Sequence, residues 1–174
     1  MVVSFLNIKI MSETIVIYGS STGTCEAIAE KIASLLGCKT LNVQDLTADI
    51  VDNYQNLVLG TSTWGAGELQ DDWYDGLKTL QGANLNGKTI ALFGCGDCSS
   101  YSDTFVGGMG ELYNGIKDSG ANFIGSVETD GYTFDDSEAV IGGKFIGLPL
   151  DEINEDDKTD ARIGAWIAAI SPSM

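Results

Sequence analysis

The feature that most constrains this chain is the alternation of short, continuous apolar runs with segments of helical periodicity. Residues 14–18 (TIVIY), 39–43, 56–60 (NLVLG), 89–93 (TIALF) and 122–127 read as strands. Runs that are apolar at successive positions and rich in β-branched residues suit strands buried on both faces. Helices are predicted over residues 26–36, 69–80, 105–119 and 159–170, and Ile163, Trp166, Ile167 and Ile170 form one stripe on the last. Gly37 and Gly120 close two of these helices. Residues 45–54 read as a polar connection with one helical turn or two.

A βαβαβαβαβα order implies an α/β fold with a doubly wound, mostly parallel five-stranded sheet and helices on both faces. Residues 128–150 are too long for an ordinary αβ connection and are read as an insertion in the last strand region. The 174 residues are expected to form one domain, with residues 1–12 a possible extra N-terminal segment that contains a second Met at position 11.

Ligands of open α/β sheets bind outside the C-terminal ends of the strands. Three loops are predicted to leave those ends. The first, GSSTGTC from Gly19, opens a helix directly after a strand. Backbone N–H groups at a helix start favour an anion, and Ser20, Ser21, Thr22 and Thr24 add hydroxyl donors around Gly23. No Lys or Arg occurs from Gly19 to Glu30, so a phosphate there would be held by amides and hydroxyls alone. The dinucleotide pattern GxGxxG is absent. A literal nucleotide-triphosphate match, GANLNGKT at residues 82–89, precedes a strand instead of following one, which is the wrong context.

The second loop holds Trp64 among Thr61, Ser62, Thr63, Gly65, Ala66 and Gly67, and the third holds Tyr101 after Cys95, Gly96 and Asp97. Large aromatics in loops this small and polar are poor core candidates, and two of them could clamp a flat ring by stacking. A phosphate loop with an aromatic clamp points to a flat heterocycle bearing a monophosphate, and FMN fits better than a dinucleotide. The pair Cys95 and Cys98 forms a CxxC motif, read as small loop residues lending amides, with a dithiol centre as the rival reading.

On these residues the chain resembles the flavodoxins, specifically the long-chain group. The phosphate loop corresponds to 20–25, the tryptophan loop to 63–69, the tyrosine loop to 94–101, and the long-chain insertion to 128–150. The resemblance implies sheet order 2-1-3-4-5, non-covalent FMN between Trp64 and Tyr101, and no catalytic residue. It implies a low-potential electron carrier shuttling between semiquinone and hydroquinone. Gly65 would ease a peptide rotation beside the reduced flavin. Cys25 departs from the pattern, a thiol standing where a phosphate-binding hydroxyl is common. The alternative on the same fold is an NAD(P)H-dependent flavin or quinone reductase.

Charge bears on partners. The net charge is −16, and eleven acids lie between residues 128 and 160 against Lys144 and Lys158. Glu68, Asp71, Asp72, Asp75, Asp97 and Asp103 surround the loops. Such a field opposes nucleic acid and anionic membranes and steers towards basic-surfaced redox proteins. The absence of histidine excludes histidine base catalysis, and four cysteines with one CxxC pair make a poor metal set. A cytoplasmic monomer is expected, with no membrane span and no signal peptide legible.

Overall fold

The computed structural model describes residues 12–174. The predicted extra segment therefore lies outside the described residues, except for Ser12, which begins the first strand. The strands β1 (Ser12–Gly19), β2 (Lys39–Asn42), β3 (Tyr54–Trp64) and β5 (Thr89–Cys95) run parallel, with β1 between β2 and β3 and β5 beyond β3. The outer strand is shared by two pieces. β6 (Asn122–Ile124) pairs with the start of β5, and β10 (Leu148–Leu150) pairs with its end. This is the predicted 2-1-3-4-5 order, with the last strand split.

The split corrects the strand predicted at 122–127. The main-sheet strand ends at Ile124, residues 125–126 are irregular, and β7 (Val127–Glu128), β9 (Lys144–Phe145) and β8 (Val140–Ile141) form a separate antiparallel sheet in that order. That insertion packs Tyr132, Phe134 and Phe145 around Phe105, with ring centroids 5.9–6.4 Å from it.

Both sheet faces are covered, which explains the continuous apolar runs. Ile15, Ile17, Leu57, Leu59, Ile90 and Leu92 face one core with Trp73, Leu80, Met109 and Leu112. Val16, Tyr18, Val58, Ala91 and Phe93 face the other with Ile28, Ile32, Ile163 and Trp166. The first core lies under α3 (Trp73–Gly82) and α4 (Gly107–Ile116), the second under α1 (Thr24–Leu36) and α5 (Asp156–Ile170). Neighbouring positions on a strand point to opposite faces, so the two cores interleave along each run. The polar connection at 45–54 contains a short helix, α2 (Ala48–Asn53), capped by Thr47, whose Oγ1 accepts from Ile50 N–H at 3.3 Å.

Candidate functional site

The three loops converge at the C-terminal ends of β1, β3 and β5. There they border a cavity of about 330 Å³. Thr22 and Thr24 line it from the first loop, Ser62, Thr63, Trp64 and Gly65 from the second, and Cys95, Gly96, Asp97 and Tyr101 from the third. Trp64 and Tyr101 are 41% and 51% exposed, unusual for large aromatics on such a well-buried fold.

At the first loop, β1 ends at Gly19 and α1 starts at Thr24. Gly23 caps the helix with φ +90°, a left-handed conformation that L side chains rarely adopt. Its N–H donates to Ser20 Oγ at 3.1 Å, and Gln70 Nε2 donates to Ser21 Oγ at 3.2 Å. Thr22 and Thr24 remain exposed. Cys25 does not: its side chain is fully buried in the core under α1, in the same cluster as Cys95. The hydrogen bond with the Cys95 thiol and burial push the Cys25 thiol well above its ordinary pKa. The Cys25 thiol therefore faces the core, and only its backbone lies along the loop.

The tryptophan loop is not a simple loop. β3 continues through Trp64, turns at Gly65–Gly67, and returns as β4 (Glu68–Leu69), pairing Thr63 with Leu69 and Trp64 with Glu68. The helix predicted from residue 69 starts at Trp73 instead, because residues 68–69 are used in this hairpin. The Trp64 indole donates to Ser62 Oγ at 2.9 Å. Thr61 faces inward and is fully buried, its hydroxyl donating to the Ser62 carbonyl at 2.8 Å. Ala66 and Gly67 belong to the turn, outside the cavity lining. From below, α4 meets the hairpin: Glu111 Oε2 accepts from Leu69 N–H at 2.9 Å, and Gly108 N–H donates to Thr63 Oγ1 at 3.2 Å. A Cβ on Gly107 would lie 2.7 Å from the Gly67 carbonyl oxygen, so only glycine permits this approach.

The tyrosine loop turns on Asp97. Its Oδ1 accepts from Ser99 and Ser100 N–H at 3.0 and 2.8 Å and from Asn154 Nδ2 at 2.9 Å. The Ser100 bond leads in holding the Asp97 carboxyl below the usual carboxylate range. The Cys98 thiol is pushed up to about 12 by burial and then by Asp151. A thiol so high is poorly ionised, which argues against CxxC as a dithiol centre.

Sequence reasoning missed several lining residues: Thr104, Phe105, Val106, Glu152 and Ile153. Val106 is fully buried at φ +48°, the only non-glycine in the left-handed region among the described residues. A β-branched residue held there is strained, by ~1–3 kcal/mol. No local pattern announces such a conformation. The 151–154 segment could have been found only by knowing that β10 ends beside β5.

The donor set suits a flat ring carrying a phosphate. Thr104 Oγ1 is a buried oxygen without a hydrogen-bond partner among the described residues, and Thr104 lines the cavity. Two exposed aromatics border the same space, and hydroxyls and a helix N-terminus stand at one end. Among the described residues no group of His, Cys, Asp and Glu could hold a metal, and no helix is long and apolar enough to cross a membrane.

Known proteins agree with this geometry. A flavodoxin of Azotobacter vinelandii is 47% identical over 92% of this chain and 96% of its own length. A Nostoc flavodoxin is 42% identical over 88% of this chain and 92% of its own. The structure of Fusobacterium nucleatum flavodoxin bound to flavin mononucleotide superposes with a TM-score of 0.88 at 33% identity, covering 94% of this chain and 99% of that one. Residues 16–166 match the family model described as flavodoxin, and with relatives this close over nearly the whole length, the chain belongs to the flavodoxin family.

Proposed function

We propose that this chain binds FMN non-covalently in the cavity at the strand ends and serves as a low-potential electron carrier for basic-surfaced redox proteins. The observation that carries the reading is the pair Trp64 and Tyr101, both exposed, on separate loops bordering one cavity whose far end is a helix start. A family member solved with flavin mononucleotide supports the same ligand here.

In this reading Trp64 and Tyr101 cover the two faces of the ring. Thr22, Thr24 and the amides of residues 21–25 hold the phosphate, and Ser20 Oγ keeps the loop in shape through Gly23 N–H. Ser62, Thr63, Gly65, Cys95, Gly96 and Asp97 border the ring edges. Thr61, Ala66, Gly67 and Cys25 support these positions through backbone or packing. FMN when bound supplies reversible one-electron chemistry, and the semiquinone–hydroquinone cycle belongs to this proposal. The protein's part is to stack the ring, exclude water and surround it with negative charge, which disfavours an anionic reduced ring. Gly65, at φ +50°, can rotate its peptide at small steric cost. The inserted antiparallel sheet supports a place in the long-chain group. A cytoplasmic monomer completes the reading.

Titration of the purified protein with FMN tests it. One equivalent should bind with loss of flavin fluorescence, and stepwise reduction should yield two one-electron steps. No uptake overturns the reading. Sustained NAD(P)H oxidation by the protein alone would make it a reductase.

A further inference from the structure

The tyrosine loop is fastened from behind by residues 151–154, which join β10 to α5. Asp151 is fully buried. Its Oδ2 accepts from Cys98 N–H at 2.8 Å and from Asn154 Nδ2 at 2.9 Å. Its Oδ1 accepts from Ile153 N–H and Asn154 N–H, each at 2.9 Å. Asn154 Nδ2 also donates to Asp97 Oδ1 at 2.9 Å, and Gly96 N–H donates to the Leu150 carbonyl at 3.0 Å. A buried carboxylate persists only where donors surround it, and these donors come from both segments. One side-chain amide thus bridges two carboxylates that would otherwise repel each other. Asp97, at one end of the bridge, lines the cavity, as do Glu152 and Ile153 between the two clasp residues.

We propose that Asp151 and Asn154 are positioning residues for the ring: by clasping Asp97 and Cys98 they set the tyrosine loop in its binding shape before the ligand arrives. The inference rests on the FMN reading of the cavity. Ordering a loop in advance lowers the cost of ordering it on binding. The ring end should benefit and the phosphate end should not, because no hydrogen bond of the clasp reaches residues 20–25.

Asn154 is exposed, so Asn154→Ala removes the bridge with little threat to the core. Dissociation constants for FMN and for riboflavin, which lacks the phosphate, separate the two ends. Both should rise by the same factor, roughly 10-fold, as expected for losing hydrogen bonds to charged groups. Amide exchange at Ser99 and Ser100 should quicken in the ligand-free protein, with core amides unchanged. Asn154→Asp, which brings a third carboxylate to the bridge, should have the larger effect on both constants. If Asn154→Ala fails to fold by circular dichroism, Asn154→Gln takes its place, keeping the amide but displacing it. Unchanged riboflavin binding overturns the inference, whether or not FMN binding falls. If the unaltered chain binds FMN while the variants bind it equally well, this inference alone fails. If the unaltered chain binds neither flavin, the functional reading fails and takes this inference with it.

Discussion

In the proposed reading, the phosphate end and the ring end of the cavity are built in opposite ways. The phosphate end is one continuous stretch, residues 20–25, shaped by a helix start and the Ser20–Gly23 contact, with one distant bond, from Gln70 to Ser21. The ring end is assembled from β3, β4, residues 94–106 and residues 151–154, and is cross-linked by carboxylates, Asp151 among them fully buried, and by close glycine contacts. A phosphate asks only for outward amides, which every helix start offers. A ring edge asks for groups fixed in three dimensions, which one segment cannot supply. The ring end should therefore be sensitive to distant substitutions, and the phosphate end mainly to local ones, Gln70 excepted.

The largest effect should break the ring end outright. Trp64→Ala with Tyr101→Ala removes both stacking partners, and FMN and riboflavin affinity should each fall at least about 100-fold by fluorescence titration. Retained riboflavin binding would remove the aromatic clamp from the comparison.

Cys25→Ser comes next and sharpens the phosphate end. If the side chain faced the ligand, a hydroxyl there would improve FMN binding. Because it lies in the core, the hydroxyl should instead cost ~1–3 kcal/mol of stability in urea unfolding, with FMN affinity unchanged. Tighter FMN binding without a stability loss would refute the core placement.

Thr22→Ala with Thr24→Ala should weaken FMN roughly 30-fold while leaving riboflavin alone, since about 1 kcal/mol attends each modest hydrogen bond. An equal loss for riboflavin would mean that the two ends are coupled.

The smallest effect is that of pH. Hydrogen bonding, led by the Ser100 N–H, holds the Asp97 carboxyl below its ordinary value. Burial pushes Asp151 up, but the bonds from Cys98 and Asn154 outweigh it, and it too sits low. A carboxyl lowered on folding stabilises fully above its unfolded value of about 3.9, and that contribution is lost as pH falls through the folded value. Amide protection at Ser99 and Ser100 should therefore hold from neutral pH to about 5 and decline below about 4. A loss beginning nearer neutrality would point to another group.

The elements were legible to differing degrees, for physical reasons. Residues 57–60 and 90–93 are buried on both faces, so burial alone dictates a continuous run without polar side chains. Leu69 reads as the start of a helix because it continues a helical pattern, yet pairing with Thr63 claims it for a strand. Residues 122–127 read as one strand because their composition allows it; that β5 is shared between two pieces depends on where the insertion returns. The aromatics were legible as out of place in polar loops. Cys25 was legible only as a departure, and its inward direction came from the packing of α1 on the sheet.

By itself, the sequence determined the parallel α/β architecture, the helix start that can hold an anion, and the two aromatics that flank the cavity. These are local consequences of periodicity, of Gly23 at a helix cap, and of large rings in loops too small to bury them. Tertiary structure decided the split outer strand, the inward turn of Cys25, the left-handed Val106, and the clasp of Asp151 and Asn154 on Asp97. Each depends on which atoms meet across more than twenty residues of chain or on which face of a helix meets the sheet. Such contacts carry their energy through burial and hydrogen-bond satisfaction, and neither leaves a periodic trace along the chain.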